Sequence, residues 1–568
     1  MSKWKSFTNF VKSKILTKTV GYSALGAVTA ASLIGALSYK VSAPFKPSFY
    51  NYKQYISDEV RDVISKHFDF KEFDTLNQFT NAILTRKAVA GIGSDSQAVT
   101  LIQKGQLQKL NFHKLFPQLI SEEETKDDNL VAQKLKSVYS ESVWEHLQAY
   151  DKDLTVDDTG KKYDGPQRHL WQYFVPYFVQ DMVVAYNPAK VLNRKNKGSV
   201  AYDANMDFKQ IYEFDRKIIS DLISTEQQND PKWNGREFSL YSILKVLRAN
   251  GFENMEATDA VRDNMVYGSA FKKDANNNYT DIYQTGEADN FSSQTSYSSF
   301  KQLIDQYKDL IESATGYSLQ DPHINFIGSG GELVDKISDP TTAIDFGTIY
   351  NGDAFDAYFA NDNHSNARDG QIRYLRPKNN LVLVDGFIIV NGINDEFTEK
   401  AYEVAKNSFI NGIDDADWSD NSEDENPEDY LAYVNFDTVG YTPAYKQLIN
   451  YVKENYFTGY IDPEAQEAEA RAKGEEINPE TSWVLHEGNK LTPEEWKQAL
   501  EYESHYIQGL FDITSHYTIW MPGTTDPIHF PEKQTNEYTY TVKHSDIKPV
   551  SARTLTDIEA YWSQKIKK

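Results

Sequence analysis

The sequence predicts an α/β fold with its sheet covered on both faces, preceded by a membrane span and interrupted by surface insertions. Three observations predict it. Strand-like and helix-like patterns alternate from residue 49 onward, the rhythm of a covered sheet. Leu381–Val390 (LVLVDGFIIV) is an almost continuous apolar run, as expected of a strand buried on both sides. Val20–Tyr39 runs twenty residues without a charge, enough to span a bilayer as a helix.

In chain order, residues 1–19 carry five lysines and no acidic residue, so the span is expected to leave the N-terminus in the cytoplasm and the rest of the chain outside. The alternative is a cleaved leader, but Pro44 follows the small-residue site Val41-Ser42-Ala43 and disfavours cutting there. Residues 40–48 read as a linker. Phe49–Tyr52 reads as a first strand, and Val60, Val63, Ile64 and Phe68 form one helical stripe. Helix, strand and helix follow at Leu76–Thr85, Ala88–Ile92 and Gln97–Lys104. Later, Ala401–Phe409 and Leu555–Ile566 read as helices. Polar stretches at 121–167, 193–234 and 270–297 read as surface insertions. The acidic run Asp414–Asp429 lacks the ligand spacing and central glycine of a calcium loop and reads as a solvated loop, and Glu464–Glu476 as a solvated helix.

Composition removes several function classes. A net charge of −24 repels nucleic acid and favours solubility or cationic partners, and does not by itself choose between them. With no cysteine there is no disulfide, thiol nucleophile or thioether-linked lipid. The eleven histidines are scattered without a metal-binding pair. Gly91-Ile92-Gly93 and Gly328-Ser329-Gly330-Gly331 complete neither a dinucleotide fingerprint nor a phosphate loop, and read as turns. No cofactor is expected, and no nucleophile elbow points to an enzyme.

Five ordered segments carry a resemblance. They are Phe49-Tyr50-Asn51-Tyr52 with Tyr55; Gly93-Ser94-Asp95-Ser96 with the following helix and Gly105-Gln106-Leu107; Val175-Pro176-Tyr177-Phe178 running into Ala185-Tyr186-Asn187; Tyr350-Asn351-Gly352-Asp353-Ala354 with Arg376-Pro377-Lys378 and Val384-Asp385-Gly386; and Val439-Gly440-Tyr441-Thr442-Pro443. Together they resemble the bacterial spermidine/putrescine-binding protein family, which has Phe-Tyr-Asn-Trp and Trp-Asn-Gly-Ser-Ala at the first and fourth. The resemblance implies a two-lobed periplasmic-binding-protein clamp with hinge crossings. It divides the chain into a basic stub, span and linker at 1–45, lobe one at 46–182 and 385–440, and lobe two at 183–384 and 441–568. It implies a non-enzymatic, membrane-anchored extracellular receptor that passes polyamine to the permease subunits of an ABC transporter, with the ATPase on another chain.

A polyamine needs aromatic walls for its methylenes and carboxylates for its ammonium groups. Tyr52, Tyr55, Tyr350 and Tyr441 match the family's aromatic positions, Ser94 its serine and Asp385 its amine-binding aspartate; Ser96 stands where an aromatic is expected, and Glu237 is the nearest match to a lobe-two acid. Asp385 also stands out without the resemblance, because an unpaired carboxylate in an apolar strand is costly to bury. Its plainer alternative is a strand-end aspartate capping a turn before Gly386. With 37 tyrosines in the chain, any single one is more often core or surface than ligand wall. A receptor for another cation such as thiamine, and a surface interaction or adhesion protein, stay open as alternatives.

Overall fold

The structure, a computed structural model, describes residues 46–197, 208–273, 279–280, 299–364, 367, 369–413, 427–456, 503–520 and 537–567. Its first half-sheet is laid down locally. Strands β1 (Ser48–Tyr52), β2 (Asp69–Phe73) and β3 (Ala88–Ser94) lie parallel in the order β2-β1-β3. The helices between them, Asp58–His67 and Leu76–Leu84, bury Val60 and Ile64, and Phe79 and Ile83. The Gly91-Ile92-Gly93 segment is the middle of β3 rather than a turn. A β-carbon on Gly91 would lie 2.6 Å from the Phe79 ring, so the glycine lets the helix sit directly on the strand.

Two long strands continue the sheet. β4 (Val175–Tyr186) is buried at every position. Its first half pairs antiparallel with β11 (Asn379–Ile389), and its second half with β9 (Phe346–Tyr350). Beyond β9 lie β5 (Met255–Thr258) and β8 (Ile324–Ile327), parallel to it, and β11 borders β3 on its other side. The strand order is therefore β2-β1-β3-β11-β4-β9-β5-β8, one sheet shared by two lobes and crossed between them by β4 and β11. Short strands β10 (Arg373–Leu375) and β12 (Thr442–Pro443) pair with β4, and β15 (Lys543–Ser545) with β11. Small ribbons β6–β7 (Lys272–Lys273, Tyr279–Thr280) and β13–β14 (His516–Trp520, Glu537–Thr541) stand apart. Two apolar cores form, one around Phe49, Ile92 and Phe387, the other around Met182, Leu244 and Phe346.

The two-lobed α/β clamp agrees with the expectation; other expectations need correction. The membrane span expected at Val20–Tyr39 lies outside the described residues, and among the described residues no helix is long and apolar enough to cross a membrane. The single-pass anchor and the cell-membrane location drawn from it are accordingly set aside. The stretch is rich in Gly, Ala and Ser, which give little drive for insertion. Two of the polar stretches are not surface additions. Residues 121–167 contain helices Asp128–Val138 and Glu141–Ala149, which bury Leu135, Trp144 and Leu147. Helix Phe208–Asn229 buries Ile218, Ile219 and Leu222. A single helical stripe suffices to dock a segment whose other faces are polar. The polar stretch at 270–297, most of the acidic run after Asp414, and Glu464–Glu476 lie largely or wholly outside the described residues.

Candidate functional site

The site forms where the ends of β1, β3 and β9 meet the middle of β11. Asp385 is mid-strand in β11, not a strand-end cap, and sits opposite Ser94 of β3. After β1 the chain turns through Gln54, whose φ of 52° is left-handed. This turn returns Tyr55 beside Tyr52, with ring centroids 5.4 Å apart. Both hydroxyls reach Asp385: Tyr52 donates to Oδ1 at 3.1 Å and Tyr55 to Oδ2 at 2.9 Å. Gln180 of β4 donates from Nε2 to the same Oδ2 at 2.9 Å.

Two further carboxylates repeat the motif. Tyr350, at the end of β9, donates to Asp263 Oδ2 at 2.6 Å. Tyr441 donates to Asp353 Oδ1, and its ring lies 5.2 Å from that of Tyr55. Tyr52, Tyr350 and Tyr441 keep part of their rings exposed, whereas Asp385, Asp263 and Asp353 are only 7%, 5% and 4% exposed. The arrangement is thus a set of aromatic faces with carboxylates behind them.

Electrostatics set these carboxylates apart. Among the described residues none of the three forms an ion pair with a lysine or arginine. Burial pushes Asp385 and Asp353 up to about 7 and Asp263 to about 6, against the tyrosine hydrogen bonds that pull them down. Burial and the adjacent carboxylates hold the four tyrosine hydroxyls well above their usual range, so they remain donors. With no ion-paired lysine or arginine among the described residues, such a site can accept a cation whose body is apolar.

The structure brings together seven of the eight residues expected from sequence. Ser94 caps the helix Asp95–Gln103 by accepting from the Gln97 amide at 3.3 Å, and its Oγ lies 3.4 Å from that of Ser96. Glu237 is elsewhere: it is partly exposed and ion-paired to Lys378 at 3.6 Å. The acid that meets the Tyr350 hydroxyl is instead Asp263, in the first turn of helix Val261–Ala270. Sequence reasoning also missed Asp353 and Gln180. The Gln180-Asp181 pair, polar in an otherwise buried strand, was the available signal for Gln180.

No curated protein sequence matches the chain. Three solved structures illustrate the fold-level likeness. A putative spermidine/putrescine ABC transporter protein from Listeria monocytogenes is 11% identical with a TM-score of 0.39, over 91% of this chain and 98% of that one. The TpPotD lipoprotein of Treponema pallidum is 14% identical at 0.36, over 71% and 88%. The GacH receptor of Streptomyces glaucescens, solved unliganded and with acarbose, is 11% identical at 0.37, over 82% and 99%. At these identities and scores they carry no argument about what the chain does or binds. The profile of the family described as "hypothetical lipoprotein (MG045 family)" matches residues 21–513, and the chain belongs to that family.

Proposed function

We propose that the protein is a solute-binding receptor for a small organic cation of the polyamine type. One observation carries this reading: Asp385 is buried, accepts hydrogen bonds from Tyr52, Tyr55 and Gln180, and has no cationic partner among the described residues, beside three half-buried tyrosine faces. A primary ammonium supplies the missing charge, and the tyrosine faces take the methylenes. The lobes are divided at residues 182/183 and 384/385, so the hinge lies within β4 and β11. Closure about those strands brings Tyr350 and Asp263 of lobe two toward Tyr52 and Asp385 of lobe one. Titration calorimetry of the full chain with spermidine and putrescine tests the reading. Saturable binding that weakens in Asp385→Asn is expected; absence of heat from either amine, with the chain folded, overturns the ligand assignment.

A further inference from the structure

Asp353 stands in the first turn of helix Asn351–Tyr358, just after β9. Its Oδ1 accepts from the Tyr441 hydroxyl, while its Oδ2 is buried with no hydrogen-bond partner among the described residues. The glycines around it make room for this arrangement. A β-carbon on Gly352 would fall 1.7 Å from Cδ1 of Tyr441, so the ring rests on the Gly352 backbone. A β-carbon on Gly330 would fall 2.6 Å from Asp353 Oδ1, so the carboxylate lies against the first residue of helix Gly330–Ser338. The amide groups at that helix start favour a negative charge there.

The hydrogen bond to Tyr441 does not by itself require a carboxylate, since an asparagine oxygen accepts it equally well. What the aspartate adds is charge, at the energetic cost of burying it with half its acceptors unused. That charge has a defined place in the site. Tyr55 joins Asp385 to the Tyr55–Tyr441 ring pair, and Tyr441 joins the same pair to Asp353. The two carboxylates therefore lie at opposite ends of one aromatic wall.

We propose that Asp353 is a specificity-determining residue: its negative charge, held behind Tyr441, selects ligands that carry two or more positive charges. This rests on the amine site proposed above. The two readings fail separately, because one needs the parent chain to bind amines and the other needs the loss on substitution to depend on ligand charge.

The test compares spermidine, putrescine and butylamine on the full chain by calorimetry at pH 8. Asp353→Asn, which keeps shape and acceptor, is expected to weaken spermidine and putrescine by about tenfold or more, and butylamine by less than about threefold. Asp353→Ser, smaller and also uncharged, repeats the pattern and covers the case in which the asparagine chain does not fold. Equal losses for all three amines in Asp353→Asn and Asp353→Ser make Asp353 a purely structural residue and overturn the proposal. If the parent binds none of the three, the amine reading has failed, and the charge selection with it.

Discussion

Two clusters of buried aspartate and tyrosine lie along the same pair of strands, and they treat charge in opposite ways. In the first, Asp181 of β4 accepts from Arg376 Nε at 2.7 Å and lies 3.0 Å from His544 Nε2. Arg376 also donates to the carbonyls of Gly509, Leu510 and Asp512, and its guanidinium lies 4.2 Å from the Tyr517 ring centroid. Arg373, nearby in β10, binds Glu503 at 3.0 Å and stacks on Tyr506. These charges are paired in place and tie the segment 503–517 to the crossing strands. In the second cluster, Asp385, Asp353 and Asp263 have tyrosine donors and, among the described residues, no ion-paired lysine or arginine. Burial costs are similar in the two places. The difference is that the first cluster has its charge partners within the chain, whereas among the described residues the second has none, which is what the cation reading proposed above rests on.

The sharpest way to break the comparison is to remove a partner from each side. Arg376→Met leaves Asp181 buried without its guanidinium and frees three carbonyls. It is expected to cost about 3–5 kcal/mol of stability, the range for breaking a buried pair from one side. Urea denaturation should show this as a large drop in midpoint. Asp385→Asn is expected to leave the unliganded midpoint unchanged or raised at pH 8, because a costly charge disappears. Its effect falls on binding instead, about 2–5 kcal/mol, or roughly 30-fold to several-thousand-fold in Kd for polyamine. If Asp385→Asn destabilises the free protein as much as Arg376→Met does, the two clusters are alike and the site reading is wrong.

The comparison also explains what could be read in advance. The paired strand and helix patterns around β1 to β3 were legible because each element carries its own periodicity. Asp385 was legible because a lone carboxylate in LVLVDGFIIV has no ordinary explanation. Asp263 was not, since an acid in the first turn of a helix is what any helix favours. Asp353 was hidden for the same reason, in Asn351-Gly352-Asp353 at another helix start. Glu237 is the nearest sequence match to the acid that the resemblance implies, and only the tertiary structure shows that it faces Lys378. The Arg376–Asp181 pair joins positions 195 apart in sequence, beyond the reach of any local pattern. Helices in 121–167 and 193–234 were not legible because their polar residues dominate the average composition and mask the apolar stripe.

Acidity sharpens the comparison further. Asp385 and Asp353 are held at about 7 and Asp263 at about 6, above the ordinary 3.8. Between those limits the folded chain keeps protons that the unfolded chain has released. The stability these groups contribute is therefore complete below about pH 4 and is lost as pH rises through 7. A cation acts in the opposite sense, because it binds the ionised carboxylates. Its affinity is expected to rise over the same window, by about tenfold per pH unit for each proton released, or about 1.4 kcal/mol. Thermal melts at pH 5 and pH 8, each with and without spermidine, measure both trends. A ligand-induced shift that is the same at the two pH values removes the carboxylates from the binding reaction.

The smallest effect, and the finest test of how the tyrosines work, is at Tyr350. Tyr350 is partly exposed and its hydroxyl donates to Asp263 at 2.6 Å, so stacking and hydrogen bonding are separable there. Tyr350→Ala removes both, and is expected to weaken polyamine binding by about 1 kcal/mol, or roughly fivefold, because the remaining tyrosines share the stacking. Tyr350→Phe keeps the face and removes the donor. The hydroxyl bond lowers the pKa of Asp263, so its loss pushes that carboxyl further up. At pH 8 the Phe variant should bind nearly as well as the parent, since the group still ionises when a cation arrives. At pH 6 it should fall behind, because more protons must then be expelled. A Phe variant that matches the Ala variant at both pH values assigns the contribution to the hydroxyl rather than the ring, and the tyrosine faces then lose their role as walls for the ligand.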